Sequence, residues 1–376
     1  MVMLRVERVT EVQELIALKD DWDRLVDRSL QPELYVAHDW VSLWCKYFVT
    51  KDELCVLLVW DGSCLLGIAP LIRTARSLKG VPVRQLGFML NSCNVRGNVV
   101  LAPDRMKECL AAVLSYLRSI GKEWDLLSLY GMSEQSRVPE TLADLLGSGD
   151  CTLPWLRISS WKNSFIALEE GWEAYLAGKS RHFRKNAKSA RRTLDNVGAI
   201  SFERYVSDEQ VRSAFEEFLS IESRSWKVRD GESLSARADS QEFYRHVALR
   251  FAERGAWRQW MLRVDGRPVA SIFGLIYDGT LYAEKTAYAE MPGHISFGSI
   301  LFHFAIEDAF TERAAKEMDF DMQTDFSRRL QTGTRQYHHF EIFSGSLYSR
   351  ALYSMKRLIR VWRGLRHRVE PVSTQA

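Results

Sequence analysis

The alternation of apolar and polar positions predicts a series of short strands and helices in the first half of the chain. A strand in MLRVERV is followed by a helix over about residues 11–27 and another in AHDWVSLWCKYF. Two apolar runs, ELCVLLVW and SCLLGIAPLI, flank Asp61-Gly62, a dipeptide typical of a tight β-hairpin. Downstream, the pattern predicts a strand at 99–101, a helix over 104–120, a strand over 125–130 and a short helix near 139–146.

The second half repeats this succession of elements. When Asp61-Gly62 is placed over Asp265-Gly266, the apolar pattern continues in step. Three aligned pairs carry the same residue type: Ile68 and Ile272, Leu71 and Leu275, and Ile72 and Ile276. We interpret this as a duplicated α/β unit. The predicted domains are 1–155 and 156–345, followed by a C-terminal helix and tail over 346–376.

The two halves differ in the turn that precedes a helix. In the first half, NVVLAPDRMKECLAAVL has no glycine in the turn, and Asp104 is a plausible N-cap that would compete with a phosphate. The second half has AEKTAYAEMPGHISFGSILFHFAIEDAF, with a helix predicted over 297–312. A helix N-terminus with glycines and hydroxyls nearby can bind phosphate. The residues of this loop that favour such a site are Gly293, Ser296, Gly298 and Ser299.

The strand before this loop carries adjacent charges. Strand alternation puts Glu284 on one face with Tyr282, Thr286 and Tyr288, and Lys285 on the other. Charges in a central strand are costly to bury, so a cleft or an edge strand is expected here. Further on, EMDFDMQTDF predicts a neighbouring strand with Asp319 and Asp321 on one face.

Two segments between the halves are candidates for substrate contact. Seven Lys or Arg residues and no acidic residue lie between positions 179 and 192, including Arg184 and Lys188. This run is either a solvated helix face or a surface that binds acidic groups. The segment IESRSWKVRDGESL then brings Glu222, Trp226 and Lys227 past the end of a helix.

The C-terminal segment SLYSRALYSMKRLIRVWRGLRHRVE predicts a basic amphipathic helix. Leu352, Met355, Ile359 and Trp362 recur at helical spacing among arginines and lysines. Such a helix either docks on the protein or lies on an anionic membrane surface or partner.

Composition narrows the function classes. The 376 residues can form two cores, and the net charge of +3 gives no reason to expect DNA binding. All six cysteines lie in the first 151 residues without the spacing of a metal site, so we expect no metal and buried thiols in a cytoplasmic protein. The N-terminus does not have the pattern of a signal peptide, and no window of the sequence has the length of a membrane span.

Several motifs together resemble the CelD-like, cellulose-biosynthesis-associated family of GNAT-type acyltransferases. These are tandem-GNAT proteins similar to the FemABX peptidyltransferases. In the first half the resemblance is carried by DWDRL, HDWVSLW and GIAPLI. In the second half it is carried by YLAGKSRHFRKNAKSARRTL, ESRSWKVRDG and RPVASIFGLIYDGTLYAEKTAYAEMPGHISFGSIL. The implied fold is α/β (α+β), with two tandem GNAT-like domains, each a mixed twisted sheet flanked by helices.

The resemblance also implies site residues. The K-x-A-Y-x-E…S-x-G pattern matches Lys285, Tyr288, Glu290 and the turn Ser296-Phe297-Gly298, which in GNAT folds receives the donor's pyrophosphate. The strand that contains Thr286 would bind the pantetheine arm, Trp226 and Lys227 match an S-W-K element beside the acceptor, and Asp321 falls near a recurrent acidic position. Two features are absent, the R-x-x-G-x-G/A signature and the tyrosine-lysine ending of FemABX proteins, so coenzyme A affinity and acceptor identity are not carried over.

The implied reaction is N-acyl transfer from acyl-CoA or an acyl carrier protein to an amine, in envelope polysaccharide or secondary metabolism. Glu284 or Asp321 would act as the base and Tyr288 as the acid, with His294 and His303 as rivals. The alternatives are a FemABX-like transferase that uses aminoacyl-tRNA and a non-catalytic accessory protein of exopolysaccharide or cellulose synthesis. The basic C-terminal helix would allow contact with the inner membrane face or a biosynthetic complex.

Overall fold

The structure is a computed structural model that describes residues 4–50, 53–78, 80–149, 151–181, 183–185, 198–225, 233–289 and 296–369. Its strands are β1 (Arg5–Val9), β2 (Leu54–Asp61), β3 (Cys64–Leu78), β4 (Val81–Phe88), β5 (Val100–Leu101), β6 (Leu126–Ser133), β7 (Trp155–Ala167), β8 (Ile200–Tyr205), β9 (Trp257–Val264), β10 (Arg267–Tyr277), β11 (Thr280–Tyr288), β12 (Glu317–Asp319) and β13 (Gly333–Phe343). Its α-helices are α1 (Val12–Ala17), α2 (Lys19–Arg28), α3 (His38–Phe48), α4 (Met106–Ser119), α5 (Val138–Gly147), α6 (Trp172–Ala177), α7 (Asp208–Glu222), α8 (Ala238–Ala252), α9 (Phe297–Glu312), α10 (Asp325–Leu330) and α11 (Leu347–Val369).

One mixed sheet runs through the molecule in the order β1-β2-β3-β4-β6-β13-β7-β12-β11-β10-β9-β8, with β5 paired to β3. Each half contributes an antiparallel series that ends in one parallel pair, β4 with β6 and β11 with β12. The series β1-β2-β3-β4-β6 and β8-β9-β10-β11-β12 therefore have the same connectivity. The predicted fold class, two tandem GNAT-like units, is confirmed.

The halves exchange a strand at the centre of the sheet. β7 follows the first half in sequence but pairs with β12, whereas β13 follows the second half but pairs with β6. β7 and β13 also pair with each other, from Gly333↔Phe165 to Ile342↔Trp155. The predicted domain boundary at 155–156 falls at the start of the exchanged strand β7.

Local sequence signals account for several element boundaries. The two predicted hairpins form, and the positive φ angles at Gly62 (57°), Asp265 (48°) and Gly266 (76°) are those that their tight turns require. α9 begins at Phe297, as predicted. The predicted cap Asp104 is wrong: it lies in a 3₁₀ turn, and α4 begins at Met106 after Arg105.

The helices cover both faces of the sheet. In the second half, α6 and α9 pack on one face with Ile166 and Trp260, while α7 and α8 pack on the other. The core under α7 and α8 is continuous with that of the first half, where Trp40 meets Phe243 edge-on at 5.0 Å between ring centroids. The two halves thus share a hydrophobic core.

The first part of α11 docks on the protein. Leu352 is buried with Val83, Leu126 and Phe343, and Lys356 pairs with Glu341 at 2.5 Å. Docking, one of the two interpretations of the basic segment, is confirmed for this part of the helix. No described helix combines the length and the apolar character that a membrane span requires.

Candidate functional site

The parallel strands β11 and β12 separate partway along their length. Their pairing ends at Tyr282↔Asp319, after which β11 continues to Tyr288 while the chain leaves β12. We call the opening beyond this pair the C-terminal wedge. A gap between parallel strands at their carboxyl ends is a common place for a ligand in α/β proteins.

A β-bulge in β11 lies at the mouth of this wedge. Gly274 of β10 pairs with Ala283 and Phe273 pairs with Lys285, so that Glu284 is the extra residue. Glu284 and Lys285 consequently both contact Tyr244, at 3.4 Å between Oε2 and the hydroxyl and 5.1 Å between Nζ and the ring centroid. The predicted back-to-back arrangement of these two charges is wrong, because simple alternation does not hold across a bulge.

The bulge also separates Glu284 from Tyr288. Tyr288 packs with the core under α9, on the face opposite to that of Tyr282 and Glu284. The predicted base and acid therefore lie on opposite faces of one strand. Thr286, half-buried in the same strand, pairs with Ile272 on the α9 side.

Glu284 belongs to a group of titratable side chains drawn from both halves, which we call the central polar cluster. Its members are Glu33, Tyr35, Arg96, Tyr244, Tyr282, Glu284, Asp319, Asp321 and Tyr337. Most are buried, and Asp321 keeps 30% of its side chain exposed. Buried charges persist only when they are paired, so the geometry of this cluster is decisive.

Arg96 pairs with two carboxylates at the centre of the cluster. Its side chain is 1% exposed, and its terminal nitrogens donate to the two oxygens of Asp319 at 3.0 and 3.1 Å. Its Nε lies 2.9 Å from Oδ1 of Asp321. Asp321 itself adopts φ 62°, and its backbone N–H donates to Asp319 at 2.6 Å, which turns its side chain back towards Arg96.

The Glu284 carboxyl is positioned to exchange a proton near neutral pH. It accepts a hydrogen bond from the Tyr35 hydroxyl at 2.6 Å, and the Tyr244 hydroxyl lies 3.4 Å away. Burial, and secondly the Asp321 charge, raise the pKa of Glu284 to about 7. Burial likewise raises the pKa of Glu33 to about 7, while Arg96 opposes that shift. A general base with such a pKa is well matched to neutral conditions.

Arg96 reaches this cluster from a loop that fills the corresponding wedge of the first half. β4 and β6 separate after Gly87↔Ser128. Residues 95–97 occupy the gap: a Cβ on Gly97 would lie 2.7 Å from the Phe88 side chain, and a Cβ on Gly131 would lie 2.7 Å from Cα of Arg96. The loop that closes the first wedge thus supplies the guanidinium of the second.

The predicted donor loop is described from Ser296 onwards. Ser296 caps α9, and its Oγ accepts from the Ser299 N–H at 3.4 Å and lies 2.8 Å from the Ser299 hydroxyl. Phe297 is fully buried in the core. A Cβ on Gly298 would lie 2.8 Å from Cδ1 of Tyr288. Any side chain at position 298 would therefore displace Tyr288.

The other predicted residues make separate contacts. The Lys285 Nζ donates to the carbonyl of Ser92 at 3.2 Å. Glu222 is buried and accepts a hydrogen bond from Ser233, and Arg184 donates to the carbonyl of Ala177. His303 is half-buried, and burial lowers its pKa. Six predicted residues lie outside the described residues: Lys188, Trp226, Lys227, Glu290, Gly293 and His294.

Sequence reasoning missed the members of the cluster that come from the first half and from α8. These are Glu33, Tyr35, Arg96 and Tyr244. Of these four residues, only Arg96 lies in a sequence pattern that indicates a functional role. The polar run NSCNVRGN separates two apolar strands and places an arginine between asparagines and a glycine.

Comparison with known proteins shows similarity to an acetyltransferase family and to several solved structures. Residues 181–337 match the model of the family described as an acetyltransferase (GNAT) domain. No curated protein matches the sequence.

Solved structures are similar over nearly the whole chain. FemX has a TM-score of 0.56 at 12% identity, covering 93% of this chain and 99% of that one. The C-terminal domain of a putative lysylphosphatidylglycerol synthetase from Agrobacterium fabrum gives 0.53 at 11% identity, covering 93% and 98%. L-PGS from Bacillus licheniformis gives 0.52 at 11% identity, covering 92% and 96%. These identities show a shared fold: the chain has the GNAT-like architecture of FemX, and its C-terminal half matches a GNAT acetyltransferase domain.

Proposed function

We propose that this protein is an N-acyltransferase that moves an acyl group from acyl-CoA or an acyl carrier protein to an amine. The observation that carries the proposal is Glu284, a half-buried carboxyl with a raised pKa of about 7 at a β-bulge where two parallel strands separate. The match of residues 181–337 to a GNAT domain supports the same reaction class. The CelD-like family stays a prediction from the sequence motifs.

The donor would bind at the N-terminus of α9. The unpaired N–H groups of a first helical turn, together with its partial positive charge, favour a pyrophosphate. Ser296 and Ser299 add hydroxyls there, and Gly298 keeps the helix start close to Tyr288. The acyl arm would then follow β11 into the C-terminal wedge.

In the proposed reaction, the amine nitrogen attacks the thioester carbonyl carbon. Glu284 accepts the proton that the nitrogen loses, the new C–N bond forms, and the C–S bond breaks as the thiolate leaves. The thiolate is protonated by solvent or by Tyr288, which lies on the donor side of β11 against Gly298. Much of the rate enhancement would come from holding the two reactants together.

Arg96, which belongs to the first half of the chain, would limit the rise in the pKa of Glu284. By pairing with Asp319 and Asp321, it limits the negative charge that faces Glu284. Asp321, our second candidate for the base, is tied to Arg96 and serves better as an electrostatic neighbour. We therefore assign the proton transfer to Glu284.

Two experiments test the proposal. A donor present at 100 times its Kd should add about 2.7 kcal/mol to the free energy of unfolding, which a thermal melt with a panel of acyl-CoAs and acylated carrier proteins would detect.

Thiol release with an amine panel should fall ~10²- to 10⁴-fold in Glu284→Gln. Glu253→Gln, at a residue that is 64% exposed, is the control. A protein stabilised by no donor, or a Glu284→Gln variant with full activity, would contradict the proposal.

Transfer from aminoacyl-tRNA is the second candidate, favoured by the basic run over 179–192 and by the FemX-like fold. Stabilisation by aminoacyl-tRNA and by no acyl thioester would support it. If neither donor binds, the accessory role in polysaccharide synthesis becomes the better proposal.

Contact with a membrane surface is supported by one feature of α11. Leu358, which is 70% exposed, lies among the basic residues of this helix.

A further inference from the structure

A stack of aromatic rings lies beside the central polar cluster, on the same face of the central strands. Trp161 of β7 stacks on Tyr130 of β6 and on Tyr337 of β13, at 4.5 and 6.3 Å between ring centroids, with interplanar angles of 26° and 20°. Tyr337 is buried and bonded to Arg96, whereas Tyr130 and Trp161 keep part of their surface exposed. We call Tyr130 and Trp161 the aromatic platform.

The platform adjoins the carboxylate of Asp321. Trp161 stacks on Tyr337, the Tyr337 hydroxyl accepts a hydrogen bond from Arg96, and Nε of Arg96 lies 2.9 Å from Asp321. Burial, and secondly the Asp321 charge, also raise the pKa of the Tyr130 hydroxyl. Asp321 and Asp319 share the single positive charge of Arg96, and Arg335 lies between Asp319 and Glu317. Two guanidinium groups thus face three carboxylates, and the net negative charge favours an ammonium group at the partly exposed Asp321.

The far edge of the platform carries neutral hydrogen-bonding groups. The ring of His339 meets Tyr130 edge-on at 5.2 Å between centroids, and its Nε2 lies 3.0 Å from the Ser128 hydroxyl. Burial, and secondly Lys356, lower the pKa of His339 to about 4, so the ring is neutral at physiological pH. An exposed serine, Ser159, pairs with His339 across the strands.

A buried amide on the same face lacks hydrogen bonds. Asn163 pairs across β7 and β13 with Arg335, whose guanidinium contacts Asp319, so its side chain shares the face of the cluster. It is 1% exposed, and within the described part of the chain neither Oδ1 nor Nδ2 has a hydrogen-bond partner. Such a group in a native structure needs an explanation, and a bound polar molecule or water supplies one.

We propose that the acceptor is an amino sugar whose ring lies on the aromatic platform and whose amine is directed towards Asp321. This inference rests on the acyl transfer proposed above and names its acceptor. A flat apolar surface with neutral hydrogen-bonding groups at its edge suits the alternating C–H and hydroxyl surfaces of a sugar ring. A phosphate-bearing acceptor would instead require a cation available at that edge, and Lys356, whose charge acts on His339, is paired with Glu341.

Binding of D-glucosamine, measured by saturation-transfer NMR, tests the site without a donor. We expect the ring protons to receive saturation, and Trp161→Ala to weaken the affinity at least ~10-fold, since one stacked ring is worth about 1.4 kcal/mol here. Trp155→Ala is the matched control, because this tryptophan of the same strand stacks on Phe340 in the main core. N-acetylglucosamine, which has no ammonium, and cyclohexylamine, which has no hydroxyls, should both bind more weakly than glucosamine.

The same variants in a transfer assay with acetyl-CoA separate this inference from the proposed function. Faster thiol release with glucosamine than with cyclohexylamine, and a raised KM for glucosamine in Trp161→Ala, would support the inference. Equal use of both amines, with no effect of Trp161→Ala on KM or on glucosamine binding, would overturn it and leave acyl transfer standing. Trp161-dependent binding of glucosamine without consumption of any acyl donor would overturn the acyl transfer and keep the sugar site.

Discussion

The two halves of this protein contain the same wedge between parallel strands in two different states. In the first half, residues 95–97 fill the gap between β4 and β6, so tightly that Gly97 and Gly131 have no room for a Cβ atom. In the second half, β11 and β12 separate beside a serine-capped helix, and a carboxyl with a raised pKa stands at the opening. In our proposal the second wedge is the ligand site, and the first half, which has the same strand connectivity, supports it.

The physical link between the two wedges is Arg96. Residues 95–97 close the first wedge, and the Arg96 guanidinium of the same loop lies beside the second wedge. There it pairs with Asp319 and Asp321, whose negative charges could not otherwise be buried together.

We expect Arg96→Met to cause the largest loss in the free energy of unfolding. Removal of one partner of a buried ion pair typically costs about 3–5 kcal/mol, because Asp319 would be left buried and uncompensated. Urea denaturation measures this loss. Arg24→Met, which removes an exposed pair with Asp21, is the control and should cost no more than ~1 kcal/mol. Equal losses in the two variants would mean that Arg96 does not join the halves.

Gly131→Ala tests whether residues 95–97 fill the wedge between β4 and β6. Gly131 and Gly149 have nearly the same positive φ, 85° and 86°, but only Gly131 would bring a Cβ against the backbone of Arg96. Both variants should lose ~1–2 kcal/mol from the positive φ. Gly131→Ala should lose a further ~1–3 kcal/mol from overpacking and lower the activity by displacing Arg96. If Gly149→Ala is equally damaging, the loop does not fill the wedge as described.

Gly298→Ala sharpens the assignment of the open wedge. The added methyl group collides with Tyr288 and should cost ~1 kcal/mol, since overpacking is partly offset by the better helix propensity of alanine. In a Tyr288→Ala background this stability cost should vanish, while the loss of affinity for acetyl-CoA should persist if the helix start contacts the donor. Recovery of donor affinity in the double variant would mean that Gly298 serves only to accommodate Tyr288.

A further prediction concerns the pH dependence of stability. The pKa of Glu284 rises from 4.5 to about 7 on folding, so between these values the folded protein binds more protons than the unfolded chain. The free energy of unfolding should therefore decrease as the pH rises through this window, and Glu284→Gln should flatten the decrease. Denaturation of both proteins at several pH values measures it, and identical profiles would show that the carboxyl is not perturbed. Activity should show the opposite trend and increase as Glu284 loses its proton.

The repeated elements of the fold could be predicted from the sequence because local signals determine them. The hairpins at Asp61-Gly62 and Asp265-Gly266 and the start of α9 at Phe297 follow from turn and capping preferences. The exchange of β7 and β13 could not be predicted, because strand order across a sheet depends on contacts distant in sequence. The bulge at Glu284 was missed for the related reason that alternation assumes an unbroken ladder.

The candidate site was predicted only from its own half. Glu284 and Asp321 were identified from the strand that each lies on or follows, and they do meet in the structure through Tyr35. Tyr35 and Arg96 come from loops of the other half, and no periodicity in the sequence connects them to β11. Burial of a charge is a property of the assembled fold, so the raised pKa of Glu284 was also beyond the reach of the sequence.

The number of donor molecules bound per chain tests most directly whether only the second wedge is a ligand site. Isothermal titration calorimetry with acetyl-CoA, and with an acetylated carrier protein if acetyl-CoA does not bind, should give one site per chain. Gly131→Ala should leave this number at one, because displacement of the loop does not create a capped helix in the first half. A stoichiometry of two, or binding that survives in Gly298→Ala but is lost in Gly131→Ala, would contradict the assignment of the donor site to the second half.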